Sequence, residues 1–312
     1  MAPLMAFGFW AYVLTVAGVY AIFVLGLQVQ VGDTGLLNFG HVAFMAVGAY
    51  GMGLMVTNGI PILLAIPLAV LLAAAAGVLV GLPTLRLRGD YFAIVTIAAG
   101  EILRIIIMNR QSETGGTLGL RHASGSWRTA NESILSWFSG MGLDMDRRVP
   151  LLVLTWLVAI LIALLLIHLG RSPWRRTLRA VRENEDAAAA VGKPVFQRKL
   201  QALALGAGIA GVAGVCFTFL QTSLYPENFE PIVTFIGFSV LILGGIGSYF
   251  GVVVGSIVIA FIISGVRFLN FPIDPDKVAA LRFVVIGLII MAVMAFRPQG
   301  LFGKKEELHL DG

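Results

Sequence analysis

Apolar runs close to the length of a bilayer crossing recur along almost the whole chain, and few architectures accept them. A helix needs about 20 apolar residues to span the hydrocarbon. Runs near that length lie at residues 7–31, 36–57, 60–82, 91–108, 149–169 and 200–220, with shorter ones at 232–243, 252–266 and 278–295. Lipid offers the backbone no hydrogen-bond partners, so each run must be a helix or part of a closed barrel. None of them alternates with the period of a barrel strand. Composition agrees: 58% of the 312 residues are hydrophobic and 12% charged, against roughly 25% charged in soluble domains. The expected fold is an all-α polytopic integral membrane protein with eight or nine transmembrane helices, forming a single transmembrane domain over residues 1–312. Gly244-Gly-Ile-Gly-Ser248 separates two of the short runs, which makes them half-helices or a hairpin.

Basic residues then suggest an orientation. The loop at 170–199 holds Arg171, Arg175, Arg176, Arg179, Arg182, Lys193, Arg198 and Lys199, so the positive-inside bias places it in the cytoplasm. The Arg86-Leu-Arg88 loop and the Lys304-Lys305 tail agree. The loop at 109–148 then falls outside. Its Arg110, Arg121, Arg128, Arg147 and Arg148 run against the bias, which longer loops obey less closely. With nine crossings the N-terminus is external and the C-terminus cytoplasmic. The +5 formal charge is confined to such loops and is no nucleic-acid signature. The opening Met-Ala-Pro-Leu-Met-Ala-Phe has neither a basic region nor a small-residue cleavage site and reads as membrane segment rather than signal peptide. Cys216 is the single cysteine, which excludes an intramolecular disulfide and a cysteine-based metal site.

The 170–199 loop has its own design. Ser172 suits an N-cap and Pro173 the first helical position. Trp174, Leu178 and Val181 share one face of the helix that follows, with Arg175, Arg179 and Arg182 near another. Asn184 suits a second N-cap, with Glu185 and Asp186 in the first turn against the helix dipole. Ala187, Ala188, Ala189 and Ala190 favour helix. Gly192 is placed to end it and Pro194 to block continuation. The result is a helix of about eight residues, roughly 12 Å long, with a small-residue face that fits a groove on another protein. The plainer reading is a solvated basic loop that only fixes topology, but a passive linker has no need of two capped helices.

At this point a family resemblance is visible. Arg171-Ser-Pro-Trp-Arg-Arg-Thr-Leu-Arg-Ala-Val-Arg-Glu-Asn-Glu-Asp-Ala-Ala188 resembles the cytoplasmic loop of permease subunits of branched-chain amino acid ABC importers, the M-type more than the H-type. Other stretches agree in order: Gly35-Leu-Leu-Asn-Phe-Gly-His-Val-Ala-Phe44, Gly89-Asp-Tyr-Phe-Ala-Ile-Val-Thr-Ile-Ala98, Glu101-Ile-Leu-Arg104, Thr114-Gly-Gly-Thr-Leu-Gly-Leu120, Leu243-Gly-Gly-Ile-Gly-Ser248 and Phe296-Arg-Pro-Gln-Gly-Leu-Phe302. The chain departs at Asn38, where relatives often have Ser, and at Lys193-Pro194. The resemblance implies a bacterial inner-membrane permease paired with a second permease, two cytoplasmic ATPase subunits and a periplasmic binding protein. The implied cargo is a branched-chain amino acid, or urea, short amides or aromatic acids as in close relatives. It also implies that Glu185, Asp186, Ala187, Ala188 and Gly192 dock on the ATPase, with Arg179 and Arg182 as weaker candidates for salt bridges to it.

For the translocation path the candidates are Glu101, Asn38 and His41. Glu101 lies midway along an apolar run, where a bare charge costs several kcal/mol. It either meets a substrate ammonium or is a buried polar anchor between helices, paired with Arg104 three residues on or protonated. Asn38 and His41 start the second run and suit hydrogen bonds between helices. Thr114-Gly-Gly-Thr117 presents amides to a carboxylate, docks a partner, or simply turns the chain. The chain carries no G-x-x-x-x-G-K-[ST] phosphate loop, so it is expected to be no enzyme and to hold no cofactor, with ATP bound by partner subunits. The rival class is a nucleotide-independent channel or secondary transporter, for which intramembrane charges are few.

Overall fold

The computed structural model describes residues 7–87, 89–266, 275–297 and 299–303. Arg88, Pro298, Lys304, Lys305 and the first six residues, all named above, lie outside them. The described chain is almost wholly helical: α1 (Phe7–Thr34), α2 (His41–Thr57), α3 (Ile62–Thr84), α4 (Gly89–Asn109), α5 (Gln111–Thr114), α6 (Gly125–Gly140), α7 (Val149–Gly170), α8 (Pro173–Glu183), α9 (Glu185–Ala190), α10 (Val195–Leu220), α11 (Pro231–Gly244), α12 (Tyr249–Val266) and α13 (Pro275–Phe296). Two short strands, β1 (Leu120–Arg121) and β2 (Ser223–Leu224), pair antiparallel with Leu120 opposite Leu224. Among the described residues α1, α3, α4, α7 and α10 are long and apolar enough to cross a membrane, and shorter apolar helices lie at His41–Thr57, Pro231–Gly244, Tyr249–Ser264 and Val284–Phe296. The chain is therefore a polytopic all-α membrane protein.

The centre of the bundle is α1 against α10. Both are largely buried within the chain, whereas α3, α4 and α7 turn most of their surface outward. Lipid tails are as apolar as the helices, so close backbone approach replaces hydrophobic drive as the source of packing energy. A Cβ on Gly206 would lie 2.6 Å from the carbonyl oxygen of Gly26, and one on Gly214 would lie 2.1 Å from that of Met45. The glycines of α10 are thus contact points with α1 and α2.

One boundary differs from the hydropathy reading, one loop gains a helix, and one open alternative is decided. The second helix begins at His41 rather than at residue 36. Gly35, at φ +75°, ends α1, and the Asn38 side chain accepts the Gly40 amide at 3.0 Å, which holds residues 35–40 in a loop despite their apolar content. The loop at 109–148 carries its own helix, α6, in which no residue is buried. The Gly-rich break resolves as a hairpin: Gly244 and Gly251 face each other so closely that a Cβ on either would lie about 2 Å from the other's carbonyl oxygen. Leu301 and Phe302 then donate amides to Leu243 and Gly244 at 2.9 and 3.0 Å. Two stretches far apart in sequence thereby close one joint.

Gly214→Ala should lower stability by ~1–3 kcal/mol, the usual cost of forcing extra volume into a packed site. Gly125→Ala, where an added Cβ meets nothing within 4 Å, should leave it unchanged. Thermal unfolding of both variants in detergent checks the contrast.

Candidate functional site

The charged segment forms two helices lying across one end of the bundle, where α1 ends and α2, α10 and α12 begin. Pro173 starts α8, where its missing N–H costs nothing. Ser172 has the extended backbone of an N-cap but makes no side-chain cap bond. Its hydroxyl donates instead to the Leu169 carbonyl at 2.6 Å, so the expected cap is not formed. Leu178 and Val181 are fully buried, and the Trp174 indole donates to Gln201 at 2.8 Å. The face shared by these three residues is the one that seats α8.

The seat is also ionic. Arg175 donates from Nε to Asp33 Oδ1 at 2.8 Å, and its Nη2 lies 2.8 Å from the same oxygen. The Tyr249 hydroxyl donates to Asp33 Oδ2 at 2.9 Å. The Arg175 guanidinium lies over the Tyr249 ring, 4.9 Å from its centroid. The Asp33 side chain is only 2% exposed and that of Arg175 12%, so this pair is dry. It ties α8 to the end of α1 and to the start of α12. Arg182 adds a bond from Nη1 to the Gly32 carbonyl at 2.5 Å. Expected to reach a partner, it is committed inside the chain, and Arg179 also interacts within the chain.

α9 matches its capping signals. Asn184 Oδ1 accepts the Ala187 amide at 2.9 Å. Gly192, at φ +77°, donates to Ala189 at 2.9 Å and Lys193 donates to Ala188 at 3.0 Å, the paired bonds of a Schellman ending. The helix has six residues, shorter than the expected eight because Val191 already leaves the spiral. Ala188 is buried at 4% and faces the chain's own core, so it is not available to a partner. Glu185 forms an ion pair with Lys199. Asp186, Ala187, Ala189, Ala190 and Gly192 are exposed, as is Val191 at 72%. This leaves a small apolar knob with an acidic edge.

The intramembrane candidates are engaged inside the chain. Glu101 and Arg104 form a forked pair, with Arg104 Nε 3.0 Å from both carboxylate oxygens. Asn38 Nδ2 donates to Gln30 Oε1 at 2.9 Å, and Gln30 Nε2 donates to the Leu203 carbonyl at 3.1 Å. The His41 Nε2 lies 3.1 Å from the Phe23 carbonyl oxygen. Asn38 and His41 are both fully buried and link α1, α2 and α10. The Thr114 hydroxyl donates to Ile107, the Thr114 amide donates to the Arg110 carbonyl at 2.9 Å and the Gly116 amide donates to the Thr114 hydroxyl oxygen at 3.3 Å. That motif turns the chain and spends two of its amides internally.

Sequence reasoning missed Asp33, Tyr249 and the inward role of Arg175. A signal was present: Asp33 is the sole acid before Asp90, and an acid at the end of an apolar helix needs a partner.

A family model described as "Branched-chain amino acid transport system / permease component" matches residues 9–294. The "High-affinity branched-chain amino acid transport system permease protein LivM" of Escherichia coli is 36% identical over 92% of this chain and 68% of its own length. The "Probable branched-chain amino acid transport permease protein LivM" of Methanocaldococcus jannaschii is 26% identical over 92% and 91%. From the same organism, the corresponding probable LivH protein is 25% identical over 89% and 87%. No solved structure matches the chain.

Arg175→Ala should cost about 3–5 kcal/mol, because it strands the buried Asp33 carboxylate. Arg175→Lys should recover part of that, since an ammonium keeps the charge but not the fork or the ring contact. Adding Asp33→Asn to Arg175→Ala should cost much less than the sum of the single changes. A double-mutant cycle in thermal unfolding reads all three values.

Proposed function

This chain belongs to the family of permease components of branched-chain amino acid transport systems, and on that premise we propose that it is the transmembrane subunit of a binding-protein-dependent ABC importer in a bacterial inner membrane. Its cargo is a branched-chain amino acid. The energy comes from two ATPase subunits that grip α9 from the cytoplasm, and the path is completed by a second permease. A periplasmic protein delivers the cargo. The relatives' names support the cargo, and the likeness to both LivM and LivH proteins supports a pair of related permeases.

One observation carries the mechanism: α9 is an exposed, capped lever joined to the bundle by a buried ion pair. A lever can transmit motion only if it is rigid and firmly seated. The caps at Asn184 and Gly192 supply the first, and Arg175, Asp33 and Tyr249 supply the second. Displacement of α9 by a closing ATPase pair is then carried through α8 to α1 and α12 together. Asp186, Ala187, Ala190 and Val191 form the docking face in this reading. Glu185 acts through Lys199 to hold α9 against α10. The orientation that follows puts α8, α9 and the C-terminus in the cytoplasm and the 109–148 loop outside.

Asp186→Arg combined with Val191→Glu should reduce co-purification of the ATPase subunits at least tenfold without lowering the thermal stability of the permease. ATP-driven leucine uptake by the assembled complex in proteoliposomes should fall with it. Retained ATPase binding would reject the docking face. Leucine uptake by the lone chain in ATP-free liposomes would reject the importer reading in favour of a channel or carrier.

A further inference from the structure

Away from the handle, the bundle holds a cavity of about 450 Å³ walled by α1, α10, α11, α12 and the turn at Pro226–Phe229. That volume is in the range of small-molecule sites, roughly 300–1,000 Å³. Its apolar wall includes Val19, Phe23 and Ile236, and its polar wall includes Glu227, Asn228 and Glu230. Among the described residues neither glutamate is in an ion pair. Glu230 occupies the N-cap position of α11 but makes no side-chain cap bond, so its carboxylate is not consumed by its own helix.

The turn that carries these acids is anchored in the bundle by the buried Pro226 and Phe229, while Glu227 and Glu230 line the cavity as exposed residues. The Phe229 ring lies 5.8 Å from that of Tyr50, well along α2. Arg104 of α4 is paired with Glu101 and with neither of these acids. α11 has only 14 residues, about 21 Å, and starts short of a full crossing. Beyond Tyr12, Leu220 and Gln221, the wall is shared with a second cavity of about 230 Å³ lined by Arg128, Arg147 and Arg148. The sign of the lining therefore reverses across that wall.

We propose that the larger cavity is a cargo site for a primary ammonium on an aliphatic carrier, with Glu227 and Glu230 meeting the ammonium and Val19, Phe23 and Ile236 the aliphatic part. An α-amino acid fits, with its carboxylate turned toward the arginine-lined side. The permease then checks its cargo for an amino group independently of the binding protein. The assignment of leucine-like cargo rests on the importer reading above; the electrostatic character of the cavity does not.

The test uses the assembled complex in proteoliposomes, carrying Val233→Cys in the cavity wall; the native Cys216 is buried. Cationic 2-aminoethyl methanethiosulfonate should modify the new thiol at least tenfold faster than the anionic 2-sulfonatoethyl reagent. Adding Glu227→Gln and Glu230→Gln should erase that preference. Millimolar leucine should slow the cationic reaction, and 4-methyl-2-oxopentanoate, which lacks the amine, should not. With Val233 intact, the paired Gln substitutions should cut leucine uptake at least tenfold while binding-protein-stimulated ATP hydrolysis stays within twofold. A reagent preference indifferent to the glutamates, equal protection by both solutes, or a parallel loss of hydrolysis and uptake would each overturn the proposal. Failure of the importer reading would show instead as no ATP-dependent uptake by the unsubstituted complex, and the labelling arms would still decide the cavity.

Discussion

A carboxylate cannot sit in a dry interior alone, and that constraint organises one whole end of this molecule. Asp33 closes the longest apolar helix and is almost fully buried. Its charge obliges a cation and a donor to come to it, and the chain supplies Arg175 from α8 and Tyr249 from α12. Three segments separated by more than 140 and then 70 residues are thereby pinned at one point. Such a pair is seldom a large net source of stability, because desolvation offsets much of the attraction. Its value is positional: it sets where the amphipathic α8 lies, and α8 sets where α9 is presented.

The same economy of contact appears in the apolar bundle. Helices in lipid gain little from being oily, so α10 is held by glycines that let α1 and α2 approach backbone to backbone. The turn before α11 shows the converse. Where the chain leaves helical geometry after α10, polar side chains border a cavity. The fold thus separates two kinds of site by distance. The end near α9 is pinned by the buried Asp33–Arg175 pair, and near the Pro226–Phe229 turn Glu227 and Glu230 line a cavity and, among the described residues, are in no ion pair.

Much of this was legible in the residues. Hydropathy located the helices because desolvation of a polar backbone leaves no alternative in lipid. The Asn184 and Gly192 ends of α9 were legible because capping is local: a side chain or a left-handed glycine satisfies amides and carbonyls within a few residues. Ser172 failed by the same logic, since its hydroxyl found a nearer acceptor in Leu169. Residues 36–40 failed because hydropathy does not register that Asn38 and Gly35 favour a loop. Ala188, Glu185 and Arg182 were assigned to a partner because sequence gives the helical face but not which face the rest of the chain covers.

By itself, then, the amino-acid order determined the class of protein, the approximate helix limits and the two ends of α9, since each follows from interactions between residues close together or from solvent alone. Only the tertiary structure decided that Asp33, Arg175 and Tyr249 meet, that the Gly-rich break is a hairpin sealed by Leu301 and Phe302, and that Glu227 and Glu230 border a cavity. Those facts depend on which distant surfaces touch. That choice is made by shape and charge across the whole bundle, and no local pattern encodes it.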